Sequence, residues 1–225
     1  ETDSKDVVRV NMGINPFGFD WNLKQNEEFQ APEVILTYSP NGFGEMSRTY
    51  HDLYREHLIR GKYKNAERPV LINNWEATYF DFNEEKIINI AKKAKSLGVE
   101  LMVLDDGWFG KRNSDNCSLG DWVPDKNKLP SGITGLAEKI NSMGMKFGLW
   151  FEPEMVSKDS DLYRNHPDWC IHIDGRRQTE SRQQLVLDLS RQEVQDYIVD
   201  SLSNVLETAS ISYVKWDMNR NITEI

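Results

Sequence analysis

The segment VELMVLDDGW, Val99–Trp108, carries the clearest fold signal in the chain. Apart from Glu100, its first six residues are apolar, which is typical of a strand that is buried on both faces. Two acids, Asp105 and Asp106, end this run, and a glycine follows them, as expected where a strand gives way to a turn. Strands of this kind occur in parallel sheets that helices cover, so the segment indicates an α/β protein.

Strands and helices alternate on both sides of this segment. The predicted strands are Val70–Asn73, Val99–Leu104, Lys146–Phe151 and Ile211–Trp216, with a short extra strand at Leu185–Leu189. The predicted helices are Asn83–Leu97, a second around Ile133–Met143, and a third that follows a capping box at Ser190–Glu193. This alternation predicts a parallel sheet, which is either a doubly wound open sheet or a (β/α)8 barrel.

Two observations favour the barrel. No GxGxxG motif follows any predicted strand, which disfavours a dinucleotide-binding open sheet. Polar and aromatic residues follow several of the strands, and a barrel builds one site from several strand ends. The four predicted strands account for about half of the eight strands of a complete barrel.

The chain before Pro69 has a different pattern. Val7–Met12 and Glu33–Tyr38 predict short strands, because both are rich in β-branched and other apolar residues and are separated by proline, glycine and asparagine. Ser47–Arg60 predicts a helix in which the serine is the N-cap. The change of pattern at Pro69 predicts a boundary between two parts of the chain.

The composition limits the functional classes. The chain has 27 Lys and Arg against 36 Asp and Glu, a net charge of −9, which disfavours a nucleic-acid partner. No apolar run approaches the roughly 20 residues of a membrane-spanning helix, so no membrane partner is expected. Cys117 and Cys170 form no CxxC pair, which fits a reducing compartment such as the cytoplasm, and a single disulfide between them is the alternative. The four histidines lack metal-ligand spacing, and no metal site is predicted from them.

Lys215 and Asp217 lie two residues apart on the last predicted strand, so their side chains face the same side of the sheet. A lysine ammonium group favours the ionised form of a neighbouring carboxyl group. A fixed, ionised aspartate is what the nucleophile of a glycosidase requires. The same pair could also be a buried ion pair with no catalytic role.

Asp105 and Asp106 need partners, because two adjacent carboxylates at the end of a buried strand repel each other. The hydroxyl groups of a sugar are suitable donors, since carboxylates accept charge-assisted hydrogen bonds. A divalent metal ion is an alternative, because hard cations prefer oxygen ligands. A simple turn after the strand is the least specific interpretation, and we favour a binding site over it.

Three tryptophans, Trp75, Trp108 and Trp150, lie at or just after predicted strand ends. An indole ring can stack on the apolar face of a sugar, and its N–H group can donate one hydrogen bond. The same rings could equally pack in the core. Arg182 follows a polar loop and could bind a hydroxyl or carboxylate group, although a lone loop arginine is often only a solvated charge.

Motifs along nearly the whole chain resemble glycoside hydrolase family 36, the bacterial α-galactosidases. The matching segments are PEVILTYS at Pro32–Ser39, RPVLINNWEAT at Arg68–Thr78, LDDGWFG at Leu104–Gly110, LGDW at Leu119–Trp122, GLWFEPEMV at Gly148–Val156, HPDW at His166–Trp169 and KWDMNR at Lys215–Arg220. Several long motifs in the same order make this resemblance highly specific.

The resemblance implies an N-terminal β-sandwich followed by a catalytic (β/α)8 barrel. On that basis, residues 1–46 are predicted to be the C-terminal part of the sandwich, residues 47–68 a connecting helix and linker, and residues 69–225 the first half of the barrel. The resemblance also implies an oligosaccharide substrate, no cofactor, and a parent protein that is a homotetramer.

The resemblance further implies roles for individual residues in the retaining hydrolysis of terminal α-linked galactose from melibiose- and raffinose-type oligosaccharides. Asp217 is the expected nucleophile, and the acid/base residue is expected beyond residue 225. The expected substrate contacts are Asp105 and Asp106 with galactose hydroxyls, Lys215 and Arg182 with ring hydroxyls, Trp75 and Trp150 as pocket walls, and Asn219 beside the nucleophile. The alternatives are a transglycosylase of the same family, a non-catalytic sugar-binding fragment, and a metal-dependent hydrolase built on Asp105 and Asp106.

Overall fold

The computed structural model describes Ser4 and residues 7–223. They fall into two compact units, one ending at Arg68 and one starting at Pro69. The helices are α1 Phe43–Leu53, α2 Trp75–Thr78, α3 Glu84–Ser96, α4 Gly132–Ser142, α5 Asp161–Asn165 and α6 Gln192–Thr208. The strands are β1 Leu71–Asn73, β2 Leu101–Leu104, β3 Lys146–Phe151, β4 Met155–Val156, β5 Leu185–Val186 and β6 Tyr213–Trp216. None of the described helices is long and apolar enough to cross a membrane.

In the first unit, helix α1 begins at Phe43 and not at the predicted Ser47. Gly42 precedes the helix with a φ of 81°, a left-handed conformation that glycine adopts without a steric penalty. The chain therefore turns at this glycine and enters the helix directly after it, which places Ser47 inside the helix. A π-helical turn, Tyr54–Leu58, continues the helix and ends before the predicted limit at Arg60.

The two strands predicted before α1 are wrong. Val7–Met12 contains only an isolated bridge at Val8, and Glu33–Tyr38 has no strand conformation. Most of their apolar side chains are exposed, and Leu36, for example, is 76% exposed. An apolar, β-branched sequence becomes a strand only when it packs on a pleated surface and pairs with a neighbour. No such ladder is described in this part of the chain.

In the second unit, β1, β2, β3 and β6 form a parallel sheet in that order, which confirms the predicted parallel α/β arrangement. The register aligns Asn73 with Val103, Val103 with Gly148, and Gly148 with Tyr213. A helix lies between each pair of consecutive sheet strands along the chain, as parallel connections require. The carboxyl ends of the four strands therefore meet at one edge of the sheet.

The core of the second unit lies between this sheet and helices α3, α4 and α6. The buried helix residues are Ile87, Ala91 and Ala94 of α3, Ile133, Leu136, Ala137 and Ile140 of α4, and Val194, Ile198, Leu202 and Val205 of α6. The sheet contributes Met102, Leu104, Phe147 and Leu149, which are fully buried. Each large apolar side chain of this kind stabilises the fold by about 1.5–3 kcal/mol. One continuous apolar layer thus fixes the sheet and leaves its carboxyl edge free for polar side chains.

The capping box predicted at Ser190–Glu193 does not form. Helix α6 has Arg191 at its N-cap position, with no capping hydrogen bond from a side chain. The hydroxyl of Ser190 instead donates to the carboxylate of Asp188 at 2.6 Å, and the carboxylate of Glu193 accepts from the guanidinium of Arg191 at 2.8 Å. Both side chains of the expected box therefore bind charged neighbours, and neither caps α6.

The long connection from β3 to β6 contains a small antiparallel pair of strands. Strand β4 pairs Met155 with Val186 and Val156 with Leu185 of β5. The extra strand predicted at Leu185–Leu189 therefore exists, but it ends at Val186. The loop that precedes β5 leads directly into this pair of strands, which fixes its C-terminal end.

Helix α3 has a formed N-cap, because the side chain of Asn83 accepts the N–H of Lys86 at 2.9 Å. We expect Asn83→Ala to lower the free energy of unfolding by about 1 kcal/mol, the usual cost of losing an N-cap. Urea denaturation of the full-length protein measures this change. Asn83→Asp retains an acceptor and should recover most of the loss.

Ser190→Ala is the control for this measurement, because Ser190 does not cap α6. We expect it to change the free energy of unfolding by less than about 0.5 kcal/mol, as for other exposed positions. Equal losses from Asn83→Ala and Ser190→Ala would contradict the capping arrangement described here.

Candidate active site

The carboxyl edge of the sheet gathers polar side chains on the inner face, which is the face opposite the helices. Trp150 is aligned with Lys215, and Leu104 with Leu149, so Asp105 lies level with Trp150. Because side chains alternate along a strand, the register places one set on the same face. These side chains are Asn73, Asp105, Trp150, Lys215 and Asp217.

Asp217 follows β6, and three N–H groups hold its carboxylate. Its Oδ2 accepts hydrogen bonds from Nε1 of Trp150 at 3.0 Å and from Nδ2 of Asn219 at 3.1 Å. Its Oδ1 accepts the backbone N–H of Met218 at 3.0 Å. Nζ of Lys215 lies 3.9 Å from Oδ2, as the spacing of the two residues predicts. The side chain is still 30% exposed, so a fixed carboxylate remains accessible to a ligand.

These contacts keep Asp217 ionised. Burial alone would raise the pKa of its carboxyl group. The hydrogen bonds from Trp150 and Asn219, together with the charge of Lys215, outweigh burial and lower the pKa of Asp217. A carboxylate that is charged, oriented and accessible can act as a covalent nucleophile.

Asp105 is only 2% exposed, and its carboxylate accepts three hydrogen bonds. Its Oδ2 accepts hydrogen bonds from Nζ of Lys215, at 2.8 Å, and from Nδ2 of Asn73. Its Oδ1 accepts the backbone N–H of Asp106 at 2.9 Å, while its own N–H donates to Oδ1 of Asn74 at 2.8 Å. Because β3 lies between β2 and β6, the bond to Lys215 spans a whole strand.

Asp106 is paired with Arg112, which the sequence did not single out. Nε and Nη2 of Arg112 donate to both carboxylate oxygens of Asp106, at 2.8 to 3.3 Å, and both side chains are buried. Arg112 also donates to the carbonyl oxygens of Asp115 and Cys117. A bidentate pair of this kind fixes the plane of the carboxylate. Among the described residues, Oδ1 of Asp106 accepts only from Nε, so it has a second lone pair that can accept a further hydrogen bond from a hydroxyl group.

The two adjacent acids thus have cationic partners within the protein. Asp105 binds the ammonium group of Lys215, and Asp106 binds the guanidinium group of Arg112. Within Ser4 and residues 7–223, no group of three or more His, Cys, Asp and Glu side chains is arranged to hold a metal ion. A site that already contains two cations suits neutral hydroxyl groups better than a further cation.

Trp150 has a different environment from that of the expected pocket wall. Its side chain is 1% exposed, its ring lies parallel to that of Phe109 with centroids 6.1 Å apart, and its N–H group is bonded to Asp217. In this structure its main contact with the site is the hydrogen bond to Asp217. Trp108 is fully buried and donates its Nε1 hydrogen to the carbonyl oxygen of Trp150, so it belongs to the core.

Trp75 begins helix α2, directly after the carboxyl end of β1. Its ring is half-buried and packs edge-on against the rings of Tyr79 and Phe80, with centroids 5.3 and 5.0 Å away. Its backbone N–H donates to Oδ1 of Asn73 at 2.7 Å. Trp75 therefore retains an exposed part of its ring at the carboxyl edge, where a pocket wall is expected.

Arg182 lies in a tight turn, in which the backbone N–H of Gln184 donates to the carbonyl oxygen of Ser181 at 3.0 Å. Arg182 and Gln183 have φ values of 51° and 59°, as in a type I′ turn. Residues other than glycine adopt two such values in succession only at a cost in backbone strain. Nη1 of Arg182 is 3.4 Å from Oδ1 of Asn219, so the guanidinium group contacts the same amide that binds Asp217.

Two supporting residues escaped the sequence-based search for different reasons. Arg112 lies in an irregular loop, where no periodic pattern indicates which way a side chain points. Glu152 lies directly after β3, within the motif at Gly148–Val156. Its position two residues after Trp150 was the available signal, because side chains alternate and Glu152 must share the inner face. The structure buries Glu152 completely beside Asn219 and Gln184.

Comparisons with known proteins agree on one family. The Melibiase family matches residues 28–225. The α-galactosidase AgaA of Geobacillus stearothermophilus is 60% identical over 100% of this chain, which covers 31% of that protein. Mel36A, an α-galactosidase of Lactobacillus acidophilus, is 52% identical with the same coverage. The chain therefore spans about a third of the length of the curated relatives it matches.

Solved structures give the same result. The crystal structure of AgaA, a protein of glycoside hydrolase family 36, superposes with a TM-score of 0.95 at 60% identity, over 100% of this chain and 31% of AgaA. Structures of AgaA variants in complex with raffinose and with stachyose superpose with TM-scores of 0.95 and 0.94, at the same identity and coverage. These superpositions confirm the predicted fold class, a partial (β/α)8 barrel. Since the family match extends over most of the sequence and includes every residue of the carboxyl edge, the chain belongs to the Melibiase family, within glycoside hydrolase family 36.

Proposed function

We propose that the longer protein containing this chain is a retaining α-galactosidase and that Asp217 is its nucleophile. The observation that carries this proposal is the anchored, ionised carboxylate of Asp217 at the carboxyl edge of the sheet, next to Lys215. The identity with relatives that are named α-galactosidases supports it. The substrate class is an oligosaccharide with a terminal α-linked galactose, such as raffinose or stachyose, which AgaA variants bind.

The proposed reaction has two steps. A carboxylate oxygen of Asp217 forms a bond to the anomeric carbon of galactose while the bond from that carbon to the glycosidic oxygen breaks. The leaving oxygen takes a proton from an acid residue. We place this acid in a part of the protein outside residues 1–225, because the chain spans only 31% of its relatives. Water then cleaves the galactosyl ester and returns a proton to the acid residue, so galactose is released with its configuration retained.

Binding of galactose is proposed to use the charged side chains around Asp217. Asp105 and Asp106 accept hydrogen bonds from galactose hydroxyls, since their own partners hold both carboxylates in fixed directions. Lys215 and Arg182 donate to ring hydroxyls. The side chain of Lys215 is 36% exposed and that of Arg182 is 48% exposed, so both charged groups are accessible to a ligand near the nucleophile. The remaining proposed roles are Trp75 as a wall of the pocket, and Trp150 and Asn219 as donors that orient Asp217.

We further propose that the longer protein acts in the cytoplasm as a homotetramer. The two cysteines, Cys117 and Cys170, are both free, which fits a reducing compartment. Burial raises the pKa of the Cys170 thiol to about 12, so this thiol is unreactive. The family resemblance supports the tetramer, and light scattering of the full-length protein tests it. A monomeric mass would contradict this part of the proposal.

Replacing the nucleophile tests the central assignment. We expect Asp217→Ala to abolish turnover in the full-length protein, because no covalent intermediate can form. Azide should partly restore the cleavage of a nitrophenyl α-galactoside, since a small anion can occupy the space of the lost carboxylate. Initial rates with and without azide are the measurement. Asp200→Ala, at an exposed position of α6, is the control and should retain full activity. Near-normal turnover in Asp217→Ala would refute the assignment.

Removing the neighbouring cation tests the electrostatics of the site. The charge of Lys215 helps to lower the pKa of Asp217, so Lys215→Met should raise that pKa. A higher pH is then needed to ionise the nucleophile, and the acidic limb of the kcat/KM profile should move to higher pH. Lys146→Met is the control, because Lys146 begins β3 at the opposite edge of the sheet. An unmoved limb, or an equal movement in the control, would contradict this account.

A further inference from the structure

Glu152 is a fully buried carboxylate that the reaction proposed above does not use. It follows β3 and lies level with Asp217, because Phe151 is aligned with Trp216. Within the part of the chain that the structure describes, no Lys, Arg or His nitrogen forms a salt bridge with its carboxylate. A buried carboxylate without a cationic partner is costly, so its other contacts indicate what it does.

The two oxygens of Glu152 bind two different loops. Oε1 accepts the backbone N–H of Asn219, in the loop that follows the nucleophile. Oε2 accepts a hydrogen bond from Nε2 of Gln184 at 3.1 Å. Gln184 closes the tight turn that carries Arg182, and it is 1% exposed. One carboxylate thus connects the nucleophile loop with the turn that presents Arg182.

The amide of Gln184 provides a second, independent sign that this connection matters. Its Oε1 is buried and, within the described residues, has no hydrogen-bond partner. Leaving a buried acceptor unpaired costs about 1–3 kcal/mol. The amide is held in this orientation because its N–H group must face the carboxylate of Glu152. The structure therefore tolerates an unpaired oxygen in order to keep the contact between the two loops.

Each of these loops contacts the reacting region. Asn219, whose N–H binds Glu152, donates its own side-chain N–H to Oδ2 of Asp217 at 3.1 Å. The guanidinium of Arg182 lies 3.4 Å from Oδ1 of Asn219. A shift of Asn219 or of the turn would therefore move the nucleophile relative to Arg182. A misplacement of about 1 Å can cost about 100-fold in rate.

We propose that Glu152 is a positioning residue that clamps the nucleophile loop, residues 217–220, to the turn at residues 181–184. This role rests on the function proposed above for Asp217. Glu152 does not touch the substrate, and it acts through Asn219 on one side and through Gln184 on the other. Burial raises the pKa of its carboxyl group, and the nearby charge of Asp217 adds to this shift, while the hydrogen bonds from Asn219 and Gln184 oppose it. A glutamine at this position therefore tests whether the clamp needs the charge or only the geometry.

The neighbouring acid Glu154 offers a matched control. It lies two residues further along the same connection and also accepts a hydrogen bond, from Nε1 of Trp216 at 2.9 Å. One of its oxygens is likewise buried without a partner among the described residues. Its hydrogen-bond partner, Trp216, precedes Asp217 in the chain, but side chains alternate along a strand, so the indole lies on the face of the sheet opposite to Asp217. A change at Glu154 therefore affects burial and charge without removing either hydrogen bond of the proposed clamp.

The experiment compares Glu152→Leu, Glu152→Gln, Glu154→Leu and Glu154→Gln in the full-length protein. Steady-state kinetics use a nitrophenyl α-galactoside, and rates are corrected for the folded fraction. We expect kcat to fall about tenfold or more in Glu152→Leu, because the nucleophile loses its fixed position. We expect Glu152→Gln to keep kcat within about threefold of the wild-type value, since its amide can accept from Asn219 and donate to the free oxygen of Gln184 after that amide turns over. Both Glu154 variants should keep kcat.

Hydrogen exchange measured by mass spectrometry gives a readout that is independent of activity. In Glu152→Leu, peptides covering residues 179–184 and 217–223 should both exchange faster, while other peptides should not change. Wild-type kcat in Glu152→Leu, an equal loss in Glu154→Leu, or unchanged exchange in either segment would overturn the proposal. If the wild-type protein cleaves no α-galactoside, the proposed function fails, and the exchange pattern alone then decides whether the clamp exists.

A variant on the other side of the clamp covers the case in which Glu152→Leu does not fold. Gln184→Met removes the side-chain link between Glu152 and the turn, while the contact between Glu152 and Asn219 and the hydrogen bond from Arg220 to the backbone carbonyl of Gln184 remain. We expect KM to rise more than kcat falls, because the turn presents Arg182 to the substrate and the nucleophile loop stays anchored. Wild-type KM and unchanged exchange of residues 179–184 in Gln184→Met would also overturn the proposal.

Discussion

The hydrogen bond from Lys215 to Asp105 is the contact on which the arrangement of the carboxyl edge depends. It joins β6 to β2 across the intervening strand β3, and Asp105 also binds Asn73 from β1. Backbone hydrogen bonds in a parallel sheet fix only the register of neighbouring strands, whereas this bond also fixes the direction of side chains on strands that are not neighbours. The same ammonium group lies 3.9 Å from Asp217, so the residue that orders the edge also favours the ionised form of Asp217.

Most of the second unit could be predicted from the sequence, because its signals are local and periodic. The strand Lys146–Phe151 has the same limits in the sequence and in the structure, since an unbroken apolar run ends at a buried acid. The proximity of Lys215 and Asp217 follows from their spacing along a strand. The parallel direction of the strands follows from the alternation of strands and helices, and their order in the sheet is the one that the barrel interpretation requires.

Other features depend on partners that are distant in the sequence. Residues 7–12 and 33–38 have the composition of strands, but composition does not supply a neighbouring strand, and the structure describes no strand in either segment. The predicted cap of α6 failed because Ser190 and Glu193 found charged partners nearby. The environment of Trp150 depends on a loop that packs Phe109 against its ring and on the carboxylate that its N–H group reaches, and neither contact is visible in the local pattern.

The turn at Arg182 and Gln183 has a consequence for protein engineering. Asparagine and glycine adopt the left-handed conformations of such a turn at a lower cost than arginine and glutamine do. A redesign guided by turn statistics would therefore install Asn-Gly here and gain heat resistance. It would also delete the guanidinium group that lies beside Asn219. At this turn, melting temperature and the proposed contact of Arg182 with the substrate favour different residues, so a library screened only for thermal tolerance would become enriched in variants that lack this guanidinium group.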